Sequence, residues 1–276
     1  MKGALLLVAR QELLLAVRSR WTVIFTVVFA FLSLAVAASG YVLSGGSGFQ
    51  DFARTSASLV QLVILVVPLA SLLMGALALA PERGAAELLF SQPVSRATIL
   101  FGEMLGLFGA LASAQLIGFG LAGAVVFRSS GEEGGAGYLV LVGGSLLLTA
   151  AFLSLAALIA AGATGRRARA LAIALVVWFV GAILVDLLAL GVASLLPSYA
   201  ASRVLIVSVI LNPVGAVRTG ALLGIEGTAA FGSASLALLR FTRGPAGAAL
   251  ILWLSVLAWV IGPALLAARR LQRVDL

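Results

Sequence analysis

The chain has 276 residues, of which 62% are hydrophobic and only 10% charged, with a formal net charge of +8. A soluble domain carries roughly 25% charged residues, so most of this chain's surface must face lipid, as its mean hydropathy of +1.20 also indicates. With no Cys and no His there is no disulfide framework and no thiolate or imidazole metal site, and a single Lys, Lys2, leaves little catalytic chemistry available.

Residues 3–20 precede the first long apolar run. Leu5, Val8, Leu15 and Val17 alternate with Arg10, Gln11 and Arg18, a pattern that predicts an amphipathic elbow helix on the membrane surface, its apolar residues toward lipid. The run from Trp21 to Leu43 follows. Ala35-Val36-Ala37 has the look of a cleavage site, but the run far exceeds the roughly 7–15 apolar residues of a signal core and begins well into the chain. It is read as an uncleaved span.

About 20 apolar residues cross a hydrocarbon core roughly 30 Å thick. The chain offers six such stretches, near 21–43, 58–80, 100–127, 138–163, 168–190 and 246–268, all within one membrane domain, 1–276. In lipid they must be helices, because no other open structure satisfies its own backbone. The fold class is an all-α integral membrane protein. Six spans place both termini on one side. Twelve of the Lys and Arg residues flank the spans on that side and six on the other, which predicts cytoplasmic termini. The same distribution explains the basic charge without nucleic acid.

Between spans two and three lies the segment Pro81 to Arg96. Pro81 and Pro93 bound a short helix that carries Glu82, Arg83 and Glu87, with Glu87 in i,i+4 reach of Arg83 and Leu88, Leu89 and Phe90 on an apolar side. Such a helix suits a groove on another protein; a solvated turn is the alternative. Gly102-x-x-x-Gly106 and Gly118-x-Gly120 in span three allow close helix packing. Glu103, near the inner end of that span, is expected to snorkel. The Gly131–Gly137 stretch lacks the flanking elements of a phosphate loop. Asp186 falls near the outer boundary of span five, where pairing with Arg203, capping of an outer helix, gating and proton coupling are all open roles.

Residues 197–244 form the only long outer connection, and it is apolar. Val204–Leu211 is a short greasy run, Asn212-Pro213 is a helix start, Gly224 is a plausible end, and 231–239 make a third piece. Pieces this short read as re-entrant or interfacial helices that cap the outer mouth. A P-loop needs a Lys behind a Gly-rich turn, and Lys2 is in no such place, so the chain is not its own ATPase. Copper(I) prefers sulfur and imidazole, and Met74 and Met104 are the only such ligands in the spans. A sulfur species, or mechanical signalling to a copper-handling partner, fits that inventory better than conduction of copper.

Arg10-Gln11-Glu12-Leu13, then Arg18-Ser19-Arg20-Trp21, then Glu82-Arg83-Gly84 with Glu87-Leu88-Leu89 and Gln92-Pro93-Val94-Ser95-Arg96, resemble the ABC-2-type permeases over the whole chain. Gly118-Phe119-Gly120, Val177-Trp178-Phe179 with Asp186, and Leu211-Asn212-Pro213 with Arg218 and Gly224-Ile225-Glu226-Gly227 are similar to the branch serving maturation of the copper enzyme nitrous oxide reductase. The resemblance implies an ABC-2 (type V exporter-like) permease of the bacterial inner membrane, paired with a second copy of itself through spans one and five. It implies a separate cytoplasmic ATPase subunit, with ATP and Mg bound there and no cofactor in this chain. The ATPase would contact Glu82, Arg83, Glu87, Leu88, Leu89, Pro93 and Arg96 on one turn, and Arg166, Arg167 and Arg169 on another. A periplasmic accessory protein would meet the outer cap, with Asn212, Pro213, Arg218 and Glu226. A non-transporting scaffold, an ABC-2 exporter of another small molecule and a gradient-driven carrier are the rival readings.

Overall fold

The computed structural model describes residues 2–44, 49–80, 94–130, 135–163, 166–227 and 238–273. Among these residues the chain is helical, without strands. In chain order the helices are α1 (Lys2–Arg18), α2 (Arg20–Ser44), α3 (Phe49–Leu79), α4 (Arg96–Ser130), α5 (Gly135–Gly162), α6 (Arg167–Ser194), α7 (Ser198–Leu211), α8 (Pro213–Glu226) and α9 (Pro245–Arg273). Six of them, α2 to α6 and α9, are long and apolar enough to cross a membrane. These match the six expected spans, although α3 and α4 run further than hydropathy alone indicates.

α5 is the centre of the bundle, packed against α3, α4, α8 and α9. Its composition permits this. Ala151, Ala156, Ala157 and Ala160 are buried and let neighbouring helices approach, while Leu148, Phe152 and Leu153 fill the space between. The polar groups where α4 meets α5 are paired, whereas the buried hydroxyls of Thr22, Ser33 and Ser56 have no partner among the described residues. The buried Gln115 amide of α4 donates to the Thr149 hydroxyl at 2.6 Å and accepts from the Ser145 hydroxyl at 2.5 Å. Where the α4–α5 contact widens, Phe119 and Tyr138 meet edge to face at 6.1 Å, and the Tyr138 hydroxyl donates to the Phe119 carbonyl at 2.6 Å.

α1 does not simply float on lipid. It packs along the start of α4, where a Cβ on Gly106 would stand 2.6 Å from the Ala9 carbonyl oxygen and one on Gly102 would stand 2.7 Å from Val8. The Gly102-x-x-x-Gly106 pair is therefore the seat of α1. Leu5 and Val8 are half-buried against α4 rather than turned to lipid, while Leu15 and Val17 are exposed as the amphipathic pattern requires. Glu103 is half-buried beside this contact instead of reaching out freely. Gly118 is likewise a contact, against Phe29 of α2, but a Cβ on Gly120 would meet no atom within 4 Å among the described residues.

The connection after α6 is two helices of 14 residues each, longer than the short pieces expected, with a 101° bend between them. α8 starts at Asn212-Pro213 as its sequence indicates, but it runs past Gly224 to Glu226 and stops at Gly227, whose φ of 63° suits glycine. Most of the third expected piece, 231–237, lies outside the described residues; 238–241 form one helical turn.

Candidate functional site

The polar chemistry of this chain is concentrated at the bend between α7 and α8. A sharp bend in a lipid-embedded helix pair strands backbone groups: the last carbonyls of α7 and the first amides of α8 have no partners within their own helices. Three side chains, one at the bend itself and two from α9, meet part of this need. Asn212 caps α8, its side-chain oxygen accepting from the Val214 amide at 3.1 Å. The Ser255 hydroxyl of α9 donates to the Ile210 carbonyl, and the Trp259 indole N–H donates to the Leu211 carbonyl at 2.9 Å. Ser255 and Trp259 are four residues apart, so one face of α9 presents both donors.

Asn212 has a second bond. Its amide nitrogen donates to the Gly181 carbonyl of α6 at 2.8 Å. Gly181 belongs to a single π-helical turn, Val180–Leu184, inside an otherwise α-helical span. A π turn carries one surplus residue and leaves a carbonyl outside the regular ladder, open to an outside donor. The carboxamide therefore ties the bend to the irregular turn of α6. Asn212 is only 4% exposed, so both bonds are made away from solvent. Gly181 sits about 21 Å along the helix from Arg167, at 1.5 Å per residue, which puts the bend within the thickness of the hydrocarbon core rather than on its surface.

One turn further along α6, Asp186 pairs with Arg218 of α8 at 2.5 Å. The expected pairing with Arg203 is not made. Arg203 is on α7, and its guanidinium stacks on the Tyr199 ring at 4.4 Å from the centroid. α7 also packs against α6, but its Arg203 is engaged with Tyr199, and the cation that reaches Asp186 comes from α8. Asp186 and Arg218 are 21% and 28% exposed, a half-sheltered pair that joins α6 to α8. On the other side of α6, the Trp178 indole donates to the Leu65 carbonyl at 2.9 Å, in the stretch of α3 just before Pro68. Asn212, Arg218 and Asp186 are thus brought together, with Pro213 as first residue of α8. Glu226 ends that helix.

At the end of the bundle that carries the termini, arginines predominate. Arg166, Arg167 and Arg169 are exposed at the start of α6. Arg96 reaches across to the last turn of α9, donating to the Leu271 carbonyl at 3.0 Å, so it ties two helix ends together. The Arg270 guanidinium lies over the last residue of α5, 3.2 Å from where a Gly162 Cβ would stand, where a cation complements the helix dipole. Glu82, Arg83, Glu87, Leu88, Leu89 and Pro93 lie outside the described residues.

The Asn212 cap was legible in the sequence. Its bond to α6 was not, because a π turn has no composition of its own. Trp259 and Ser255 offered a weak signal: an indole N–H and a hydroxyl on one face of an apolar span each need an acceptor.

Among the described residues, a helical bundle with six apolar spans, a further helix seated on one of them and a sharply bent helix pair defines a multi-pass membrane protein. The sequence matches the family described as ABC-2 family transporter protein over residues 6–276, and the chain belongs to that family. It is the permease component of an ABC transporter; permeases of this family work beside an ATPase subunit and are not ATPases themselves. It is 34% identical over 272 residues to a probable ABC transporter permease protein NosY of Pseudomonas aeruginosa, covering 96% of each chain. It is also 34% identical over 273 residues to the protein of the same name from Stutzerimonas stutzeri, again with 96% of each chain covered.

Proposed function

We propose that this permease converts ATP hydrolysis in a cytoplasmic partner subunit into movement of its outer re-entrant pair, in the manner of a NosY-type system. The observation that carries this reading is the 34% identity to NosY permeases along 96% of both chains. In this reading the whole chain is a single membrane domain in the bacterial inner membrane with both termini in the cytoplasm, and the ATPase, with its ATP and Mg, grips the turns at 82–96 and 166–169. Exposed Arg166, Arg167 and Arg169 beside the terminus-bearing end support that placement. Arg96, bonded to α9, would pass motion of the first turn into α9. From there Ser255 and Trp259 hold the α7–α8 bend, and the bend holds α6 through Asn212.

A second copy of the chain would pack through α2 and α6. Within one protomer only Ala170, Ala174, Ala182 and Ala189 of α6 are buried, so it has a large face to offer. The far end would meet a periplasmic accessory protein and serve maturation of a copper enzyme of the nitrous oxide reductase type. Met74 is buried in α3 and Met104 lines a groove between α4, α5 and α9; sulfur ligands so separated do not form a copper relay, and a sulfur species or a purely mechanical output is the better cargo assignment.

Charge reversal on the proposed turn tests the reading. Glu87→Arg or Arg83→Glu should abolish copurification of the ATPase while the permease still inserts. Full association in both variants would reject the assigned grip. If the partner associates normally but a hydrolysis-dead form still supports maturation, the chain is a scaffold instead.

A further inference from the structure

A groove of about 860 Å³ lies between α6, α7 and the Trp259 region of α9. It is floored by the α7–α8 bend and lined almost wholly by aliphatic side chains. Arg203 is its only charged lining residue, and the Asn212 carboxamide at its base is already committed through both oxygen and nitrogen. Arg203 lies about 7.5 Å along α7 from its start at Ser198, at 1.5 Å per residue, so the cation stands toward the far membrane boundary and the apolar groove extends inward from it. Its guanidinium rests on the exposed Tyr199 ring, the pairing of aromatic and cation found at lipid headgroup level.

The π turn shapes this groove. At about 100° per residue, a regular helix would spread the lining residues between Val176 and Val192 over roughly 220° of its circumference; the surplus residue in Val180–Leu184 gathers them within roughly 140°. The opposite face of α6 then carries Leu175, Phe179, Ile183, Leu187 and Leu190, all exposed. α6 thus has two separate apolar faces, one convex and one that walls a groove with a cation at its mouth.

We propose that the groove is a phospholipid site, taking one acyl chain along α6 and α7 with the lipid phosphate on Arg203. A volume of this size is that of a ligand pocket, and an apolar slot with one cation at its headgroup end matches a molecule with one anionic group and an apolar tail. A second copy of the chain is the poorer occupant: a two-fold contact through this face would bring Arg203 toward its own twin, and Asp186, the acid on α6, is occupied by Arg218. The Leu175 to Leu190 face remains for that contact. The inference does not depend on which ATPase drives the permease.

The test uses the full chain in nanodiscs containing phosphatidylglycerol with a diazirine near the end of one acyl chain. After illumination, adducts are mapped by mass spectrometry and the yield on 176–192 and 204–211 is divided by that on the exposed residues Leu116, Ile117 and Leu121, which line neither this groove nor the one at Met104. The wild-type ratio should be well above one. Arg203→Glu should lower it more than about fivefold, because losing one surface arginine alone forfeits that factor and the new carboxylate also repels the phosphate. Ala189→Phe, which fills the groove, should abolish the excess, and Arg203→Lys should keep it. The reference residues report misfolding internally. A wild-type ratio of one overturns the proposal, as does an unchanged ratio in both Arg203→Glu and Ala189→Phe. So does a disulfide between protomers across Leu188→Cys that excludes the lipid.

Discussion

Asn212 makes two bonds that can be removed separately, and the difference measures whether the α7–α8 bend is tied to α6. Asn212→Ser keeps an oxygen able to cap α8 but cannot reach the Gly181 carbonyl. That carbonyl is then left unpaired in a half-buried, lipid-shielded place, at a cost of about 1–3 kcal/mol. Asn212→Ala loses the cap as well, which adds about 1 kcal/mol. The stability order should be wild type, then Ser, then Ala. For a chain of this size each kcal/mol shifts the melting temperature by roughly 2–4 °C, so a loss of about 2 kcal/mol in the Ser variant appears as roughly 4–8 °C. The assay is thermal unfolding in detergent, followed by hydrogen exchange of the amides at 181–186. These amides should exchange faster in both variants, because the π turn loses its only outside donor among the described residues. A Ser variant that melts with wild type and shows wild-type exchange would refute the reasoning, since the bond to Gly181 would then carry no energy.

The Asp186–Arg218 pair is a two-residue unit, so Asp186→Asn and Arg218→Gln should each cost about 2 kcal/mol and the double variant less than their sum, by about 1 kcal/mol or more in a denaturation cycle. Strict additivity would show that the pair is solvent-screened. Gly106→Ala should destabilise by about 1–3 kcal/mol, because its Cβ meets the Ala9 carbonyl and that backbone cannot move aside; Gly120→Ala, with open space around it, should be neutral or slightly stabilising. Equal melting of the two variants would mean that α1 is not seated on α4. Burial raises the Glu12 carboxyl above its ordinary value of 4.5. The folded state therefore holds that proton more tightly than the unfolded one, and its contribution to stability falls as pH climbs from 4.5 through the folded value. Glu12→Gln should melt higher than wild type at pH 8 and no higher at pH 4; a gain at pH 4 equal to that at pH 8 would contradict the sign.

The sequence made the spans legible because hydropathy over 20 residues has one physical meaning in a bilayer. It also made the start of α8 legible, since an Asn before a Pro caps a helix wherever it stands. What it concealed depends on contacts between distant segments. Leu5 and Val8 look lipid-facing on α1 alone; only the bare surface at Gly102 and Gly106 turns them inward. Asp186 reads as a partner for Arg203, yet Arg218 of α8 takes it, a contact between segments 32 residues apart. Arg96 reads as a charge on a docking turn, yet its guanidinium sits on the end of α9. The motif around Glu87 is readable only as chemistry suited to a partner.

The absence of cysteine from the chain makes the central claim directly testable, because each introduced cysteine is unique. Single cysteines in place of Glu87, Arg167 and the far-end residue Leu195, which is 86% exposed, can be cross-linked in native membranes. The account predicts that the first two capture the ATPase subunit and the third does not. Failure of both Glu87→Cys and Arg167→Cys to capture it, or capture through Leu195→Cys, would contradict an engine gripping the terminus-bearing end.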